Sequence, residues 1–167
     1  QWDYVRFPDV TESQRRTMAY PGAGDVTRAD NIRNFILHSR EQLAEYQVPI
    51  TADVFGLVTY MDGDVGIGQN WEKLIEVADA LLPMVYPSHF LYEELGLGNP
   101  SAHPFELVDH SMKLVKDQLT GEASRARVRP WLQDFTLIWV PDHLIVDFGA
   151  AEVRAHIDAA EQNGTSG

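Results

Sequence analysis

Two aspartates stand out as groups with chemistry to do: Asp3, in Gln1-Trp2-Asp3-Tyr4-Val5-Arg6-Phe7, and Asp53, in Ile50-Thr51-Ala52-Asp53-Val54-Phe55. Each interrupts a run of aromatic, aliphatic or β-branched residues that predicts a strand, where an ionised group without a task is costly to bury. Two carboxyl groups at the tips of neighbouring strands can split an acetal link such as a glycosidic bond. One protonates the leaving oxygen and the other faces the oxocarbenium-like centre. Arg6 lies close to Asp3 along the chain and is placed to hold it charged, which suits a nucleophile or a stabiliser of positive charge. The apolar flanks of Asp53 disfavour its charged form and suit a group that gives and takes a proton. Each aspartate also has an ordinary reading, as a helix cap or a salt-bridge partner.

A second set of residues surrounds that pair in the sequence pattern. Tyr86, Ser88 and His89 can hydrogen-bond sugar hydroxyls, and Trp131 can stack on a pyranose face. Strand alternation puts Arg129, Trp131 and Gln133 on one face and Pro130, Leu132 and Asp134 on the other, so Gln133 becomes a ligand candidate and Asp134 a rim residue. The competing readings are barrel filling for Trp131, a backbone-bonded rim histidine for His89, and core layers for Tyr86 and Met84. Asp62-Gly63-Asp64 starts like a calcium loop but lacks the later Glu, and it reads as a solvated acidic turn. Asp79 reads as a capping or solvated residue. The six histidines show no zinc-binding spacing, so neither a metal nor a cofactor is called for.

These residues must be positioned by four apolar stretches, each followed by a loop and a segment of helical period. Strands are expected at residues 2–7, about 48–55, about 81–86 and about 127–133. Helices are expected from near Thr27, where Thr27-x-x-Asp30 resembles a capping box, and over about 71–80, 104–119 and 149–162. On the first of them Ile32, Phe35, Ile36, Leu43 and Tyr46 fall close to one face. A long turn-rich loop containing Tyr20-Pro21-Gly22-Ala23-Gly24-Asp25 precedes it. Apolar strands alternating with helices predict a parallel sheet covered by helices. The glycine-rich fingerprints of nucleotide-binding and serine-hydrolase sheets are absent. Polar and aromatic clusters at the ends of all four strands favour part of a (β/α)8 barrel over an open doubly wound sheet.

Composition narrows the partners. Acidic residues number 25 against 13 basic ones, a net charge of −12, which repels phosphate backbones and speaks against nucleic acid. No apolar run is long enough to span a bilayer. With no cysteine, disulfides, thiolate metal sites and a cysteine nucleophile are excluded. The compartment stays open, an extracellular or cell-envelope one included.

Asp3-Tyr4-Val5-Arg6-Phe7-Pro8, Ala52-Asp53-Val54-Phe55-Gly56, Pro83-Met84-Val85-Tyr86-Pro87-Ser88-His89-Phe90 and Arg129-Pro130-Trp131-Leu132-Gln133-Asp134-Phe135 occur in one order, with Ile67-Gly68-Gln69 between them. Together they resemble a bacterial family of glycosyl-hydrolase-like proteins of unknown function with an expected (β/α)8 barrel. The resemblance implies an α/β fold in which residues 1–167 form a single partial barrel domain, cut at both ends, supplying strands four to seven. The first three strands and a tryptophan-bearing last strand would lie elsewhere. It implies a carbohydrate substrate, cleaved with the Asp3 and Asp53 carboxyls. A positional analogy to strand-four aspartates of amylase-like barrels favours retention of configuration. The competing function is a non-catalytic carbohydrate-binding or cell-envelope module on the same fold. Half a barrel leaves two open sheet edges, so residues 1–167 alone are expected to self-associate and to lack activity.

Overall fold

The computed structural model describes residues 1–18, 26–119 and 127–165. The turn-rich segment from Tyr20 to Asp25 lies outside them. Among the described residues the strands are β1 (Thr51–Phe55), β2 (Ala80–Val85), β3 (Arg127–Val128) and β4 (Trp131–Leu132). The helices longer than one turn are α2 (Arg28–Gln42), α3 (Trp71–Ile75), α4 (Pro104–Gln118) and α5 (Ala150–Gln162), after a short α1 (Glu12–Arg15).

Every strand pairing is parallel. Thr51 to Phe55 run beside Ala80 to Met84, with Asp53 opposite Leu82. On its other side β2 meets β3 at Ala80–Arg127 and Leu81–Val128, then β4 at Met84–Trp131 and Val85–Leu132. β3 and β4 are one strand position interrupted at Pro130, which has no N–H to donate. Trp2 adds a fourth position through a parallel bridge to Ala52. The fold is therefore α/β, a parallel sheet alternating with helices in the layout of part of a (β/α)8 barrel.

The alternation of the strands separates two faces. Ala52, Val54, Leu81 and Val85 point into the apolar core with Ile36, Leu74, Leu107, Val108 and Met112 from the helices. Burying a side chain such as Leu81 or Leu107, each fully enclosed, contributes about 1.5–3 kcal/mol. Asp53, Leu82, Met84, Tyr86 and Trp131 alternate with that set, on the concave face.

Three expectations from sequence need correction. The first segment does not continue as a strand to residue 7, because Tyr4 takes a positive φ of 61° and its N–H turns to the Asp3 side chain at 2.7 Å. The buried side chain of Gln69 fills the gap in the ladder: its Oε1 accepts from Phe55 N–H at 2.9 Å and its Nε2 donates to Val5 O at 3.1 Å. The helix expected over 71–80 stops at Ile75, since Asp79 is already committed to the sheet. Its N–H donates to Ile50 O at 2.7 Å and its Oδ2 accepts from Ile50 N–H at 2.7 Å. Asp79 also pairs with Arg40 at 2.9 Å. Burial alone would raise the Asp79 carboxyl, but the Ile50 N–H and Arg40 hold it below the usual carboxylate range. Tyr46, expected on the buried stripe of α2, is instead exposed in a 3₁₀ turn. The helix start itself is as expected: Thr27 and Asp30 form a reciprocal capping box.

Gly56 ends β1 where the backbone of β2 comes close. A Cβ there would stand 2.5 Å from Met84 O. Gly56→Ala must therefore part β1 from β2, and is expected to destabilise the fold by about 2 kcal/mol, read as a lower urea midpoint. An unchanged midpoint would mean that the strand ends give way freely.

Candidate active site

Asp53 sits at the centre of the concave face with only 6% of its surface exposed. Its carboxylate accepts from Gln1 Nε2 at 2.7 and 3.0 Å and from Trp131 Nε1 at 3.0 Å. The indole reaches it from β4, two strand positions away, while its ring remains 44% exposed. No ion pair holds Asp53 among the described residues. A buried carboxylate held by neutral donors alone is an uncommon arrangement, because burial normally demands a counter-charge.

Asp3 lies exposed beside it in the sheet order, with Oδ1 accepting from Tyr4 N–H. Tyr86 reports how the acids gather. Burial pushes its phenol above the usual tyrosine range, and the charges of Asp53, Asp134 and Asp3, in that order, push it further. Three of the four acidic and aromatic clusters seen in the sequence therefore act on one hydroxyl.

Arg6 is not the counter-ion of Asp3. The turn at Tyr4 carries it over the Tyr4 and Phe55 rings, its guanidinium carbon 4.5 and 5.0 Å from their centroids. It donates to Phe7 O at 3.1 Å and to the Tyr4 hydroxyl at 2.9 Å.

Gln133 is fully buried behind the site. Its Oε1 accepts from Ser88 N–H at 3.1 Å and lies 2.9 Å from Ser88 Oγ, and its Nε2 donates to Phe135 O at 2.8 Å. Ser88 Oγ is in turn 3.1 Å from His89 Nδ1. The His89 ring meets Tyr86 and Phe135 edge-on, with centroids 5.5 and 6.2 Å apart. Burial pushes the His89 ring below the usual histidine range.

Next to these groups opens a cavity of about 400 Å³ lined by Asp9, Phe55, Gly56, Leu57, Met84, Tyr86, His89 and Phe90. A larger hollow, about 650 Å³, lies at the other end of the sheet among Thr51, Asp79, Ala80 and Arg127. These include the first residues of three strands. Barrel enzymes carry their chemistry at the C-terminal strand ends, so size does not decide between the two.

The sequence profile of the family described as "Putative glycosyl hydrolase domain" matches residues 1–167. The chain belongs to that family. No curated protein matches this chain. Among solved structures, the glycoside hydrolase domain of PgaB (BpsB) from Bordetella bronchiseptica superposes with a TM-score of 0.55 at 13% identity. The match covers 83% of this chain and 35% of the Bordetella chain, so the chain spans about a third of that structure. At such low identity the likeness speaks for the fold.

Of the residues singled out by sequence, Asp53 and Trp131 are joined directly, and Asp3, Asp134 and Tyr86 are brought near them. Ser88, His89 and Gln133 form a separate chain of hydrogen bonds at the cavity edge. Asp64 is engaged elsewhere, in a pair with Arg28 at 3.0 Å and in closing its own turn through Gly66 N–H. Gln1 was given no role from sequence, and Gln69 entered only within the Ile67-Gly68-Gln69 block. Each is a single amide with a partner 52 or 14 residues away, a distance from which sequence gives no contact.

Proposed function

We propose that the chain supplies the carboxyl groups of a glycosidase, with Asp53 and Asp3 as the pair that cleaves a glycosidic bond in an oligosaccharide or polysaccharide. The observation that carries this reading is the Asp53 carboxylate, buried midway along β1 with no ion-pair partner among the described residues and held by Trp131 and Gln1. Such an arrangement costs stability and is characteristic of a group kept for chemistry. One of the two carboxyl groups protonates the leaving oxygen and the other faces the anomeric carbon. A retaining course would bring the two carboxyl groups to about 5 Å, and an inverting one to about 6.5–9.5 Å. Tyr86 and His89 bind hydroxyls in this scheme, the Trp131 ring stacks on a sugar, and Asp134 and Arg6 shape the rim.

A closed barrel has eight strand positions, and four are present among the described residues. Turnover is tested on protein that carries all eight. The test is release of reducing ends from a panel of soluble polysaccharides by such protein, compared with Trp131→Phe. Phenylalanine keeps a stacking ring and removes the N–H to Asp53. The expected loss is about 10-fold in kcat, the worth of one hydrogen bond to a charged group, with KM little changed. Binding without release across the whole panel would favour a non-catalytic carbohydrate-binding module instead.

A further inference from the structure

The chain Gln133–Ser88–His89 fixes more than position. The amide of Gln133 has only one consistent orientation, because each end meets a backbone group of fixed character. The oxygen faces Ser88 N–H, which can only donate, and the nitrogen faces Phe135 C=O, which can only accept. Ser88 Oγ lies 2.9 Å from that same Gln133 oxygen. Two oxygens at that distance without a proton between them would set lone pairs against each other, so the Ser88 hydroxyl donates to Gln133. Its proton is then unavailable to His89. The remaining contact, 3.1 Å from Ser88 Oγ to His89 Nδ1, is a hydrogen bond only if the ring nitrogen donates.

We infer that Gln133 and Ser88 are positioning residues that lock His89 as the Nδ1–H tautomer, so that its bare Nε2 is offered to the neighbouring cavity as a hydrogen-bond acceptor. Among the described residues Nε2 has no protein partner, and the partly covered ring lines the cavity with Tyr86, Met84 and Phe55. The ring contacts from Tyr86 and Phe135 hold its plane. The acceptor selects a ligand that presents a donor there, and on the glycosidase reading, on which this part rests, that donor is a sugar hydroxyl. Gln133, fully enclosed, acts through Ser88 and never touches the ligand.

The tautomer can be read without any substrate. Long-range ¹H–¹⁵N correlation spectra of labelled protein, recorded above the titration of the ring, distinguish the two forms, and His89→Phe identifies which pattern belongs to His89. The wild-type protein is expected to show Nδ1–H with an unprotonated Nε2. Ser88→Ala removes the acceptor and is expected to shift His89 toward the Nε2–H form. A wild-type ring protonated at Nε2, or a tautomer mixture that Ser88→Ala leaves unchanged, overturns the inference. A chain that cleaves no glycan leaves this spectrum as it is, so the two readings fall separately. Where turnover is observed, Ser88→Ala is expected to raise KM several-fold.

Discussion

Asp53→Asn is expected to leave the fold standing and to lower glycan hydrolysis by at least about 10²-fold, as removal of either carboxyl of a catalytic pair does. Asparagine has the shape of aspartate, and its carbonyl oxygen can accept from both Trp131 Nε1 and Gln1 Nε2, the two closest donors. Its amide nitrogen then faces Gln1, whose exposed side chain is free to turn. Removing the charge relieves a desolvation cost but weakens the hydrogen bonds from Gln1 and Trp131, so the melting temperature of the variant is expected to stay close to that of the wild type. Reducing-end release and a thermal melt on the same preparation separate the two effects. A variant that hydrolyses at the wild-type rate would remove Asp53 from the chemistry. One that melts early would show the carboxylate to be structural.

The second large effect is a loss of stability in mild acid, centred on His156. This residue of α5 is fully buried, lies against Phe148 with ring centroids 5.4 Å apart, and leaves both ring nitrogens without a side-chain or backbone partner of good geometry. Burial pushes it down to about 4, and the Gln133 backbone and the Glu152 carboxylate offset only part of that shift. In the unfolded chain a histidine titrates near 6.5. Between those values the unfolded chain holds a proton that the folded one lacks. The contribution is whole above about pH 6.5 and is lost as pH falls toward 4, an effect of about 3 kcal/mol at its limit. Carboxylates such as Asp79 and Glu152, held below their ordinary range, add losses of their own in stronger acid. His156→Leu isolates the histidine: denaturant unfolding between pH 7 and pH 4.5 is expected to fall steeply in the wild type and more gently in the variant. Equal slopes would locate the acid sensitivity elsewhere.

What the sequence disclosed and what it hid divide along a physical line. The parallel sheet was legible because fully covered strands need apolar residues on both faces, which leaves continuous runs such as Leu81 to Val85. Asp53 was legible because it breaks such a run. The start of α2 was legible because a capping box is local, four residues read in a row. Arg6 misled for the opposite reason. Its distance from Asp3 was judged along an extended strand, and the positive φ at Tyr4, with no glycine to announce it, folds the guanidinium back over a ring. Alternation grouped Gln133 with Trp131 as a ligand candidate, but it is fully buried. Its amide belongs to Ser88, 45 residues earlier, and no periodicity carries that information. The same holds for Gln1 beneath Asp53.

The Gln69 amide gives the site an unusual seam. Toward the leading segment Asp53 N–H still donates to Trp2 O at 2.9 Å, but Phe55 N–H and Asp53 O are answered by one rotatable side chain, with Nε2 at 3.5 Å from Asp53 O. A ladder of peptides parts only when its backbone moves as a unit, whereas a side chain swings on its own torsions within nanoseconds once it is loosened. Two backbone hydrogen bonds at Trp2 thus moor Asp3 beside Asp53, and the stretch that a swing of the Gln69 amide would release begins beyond it, at Val5.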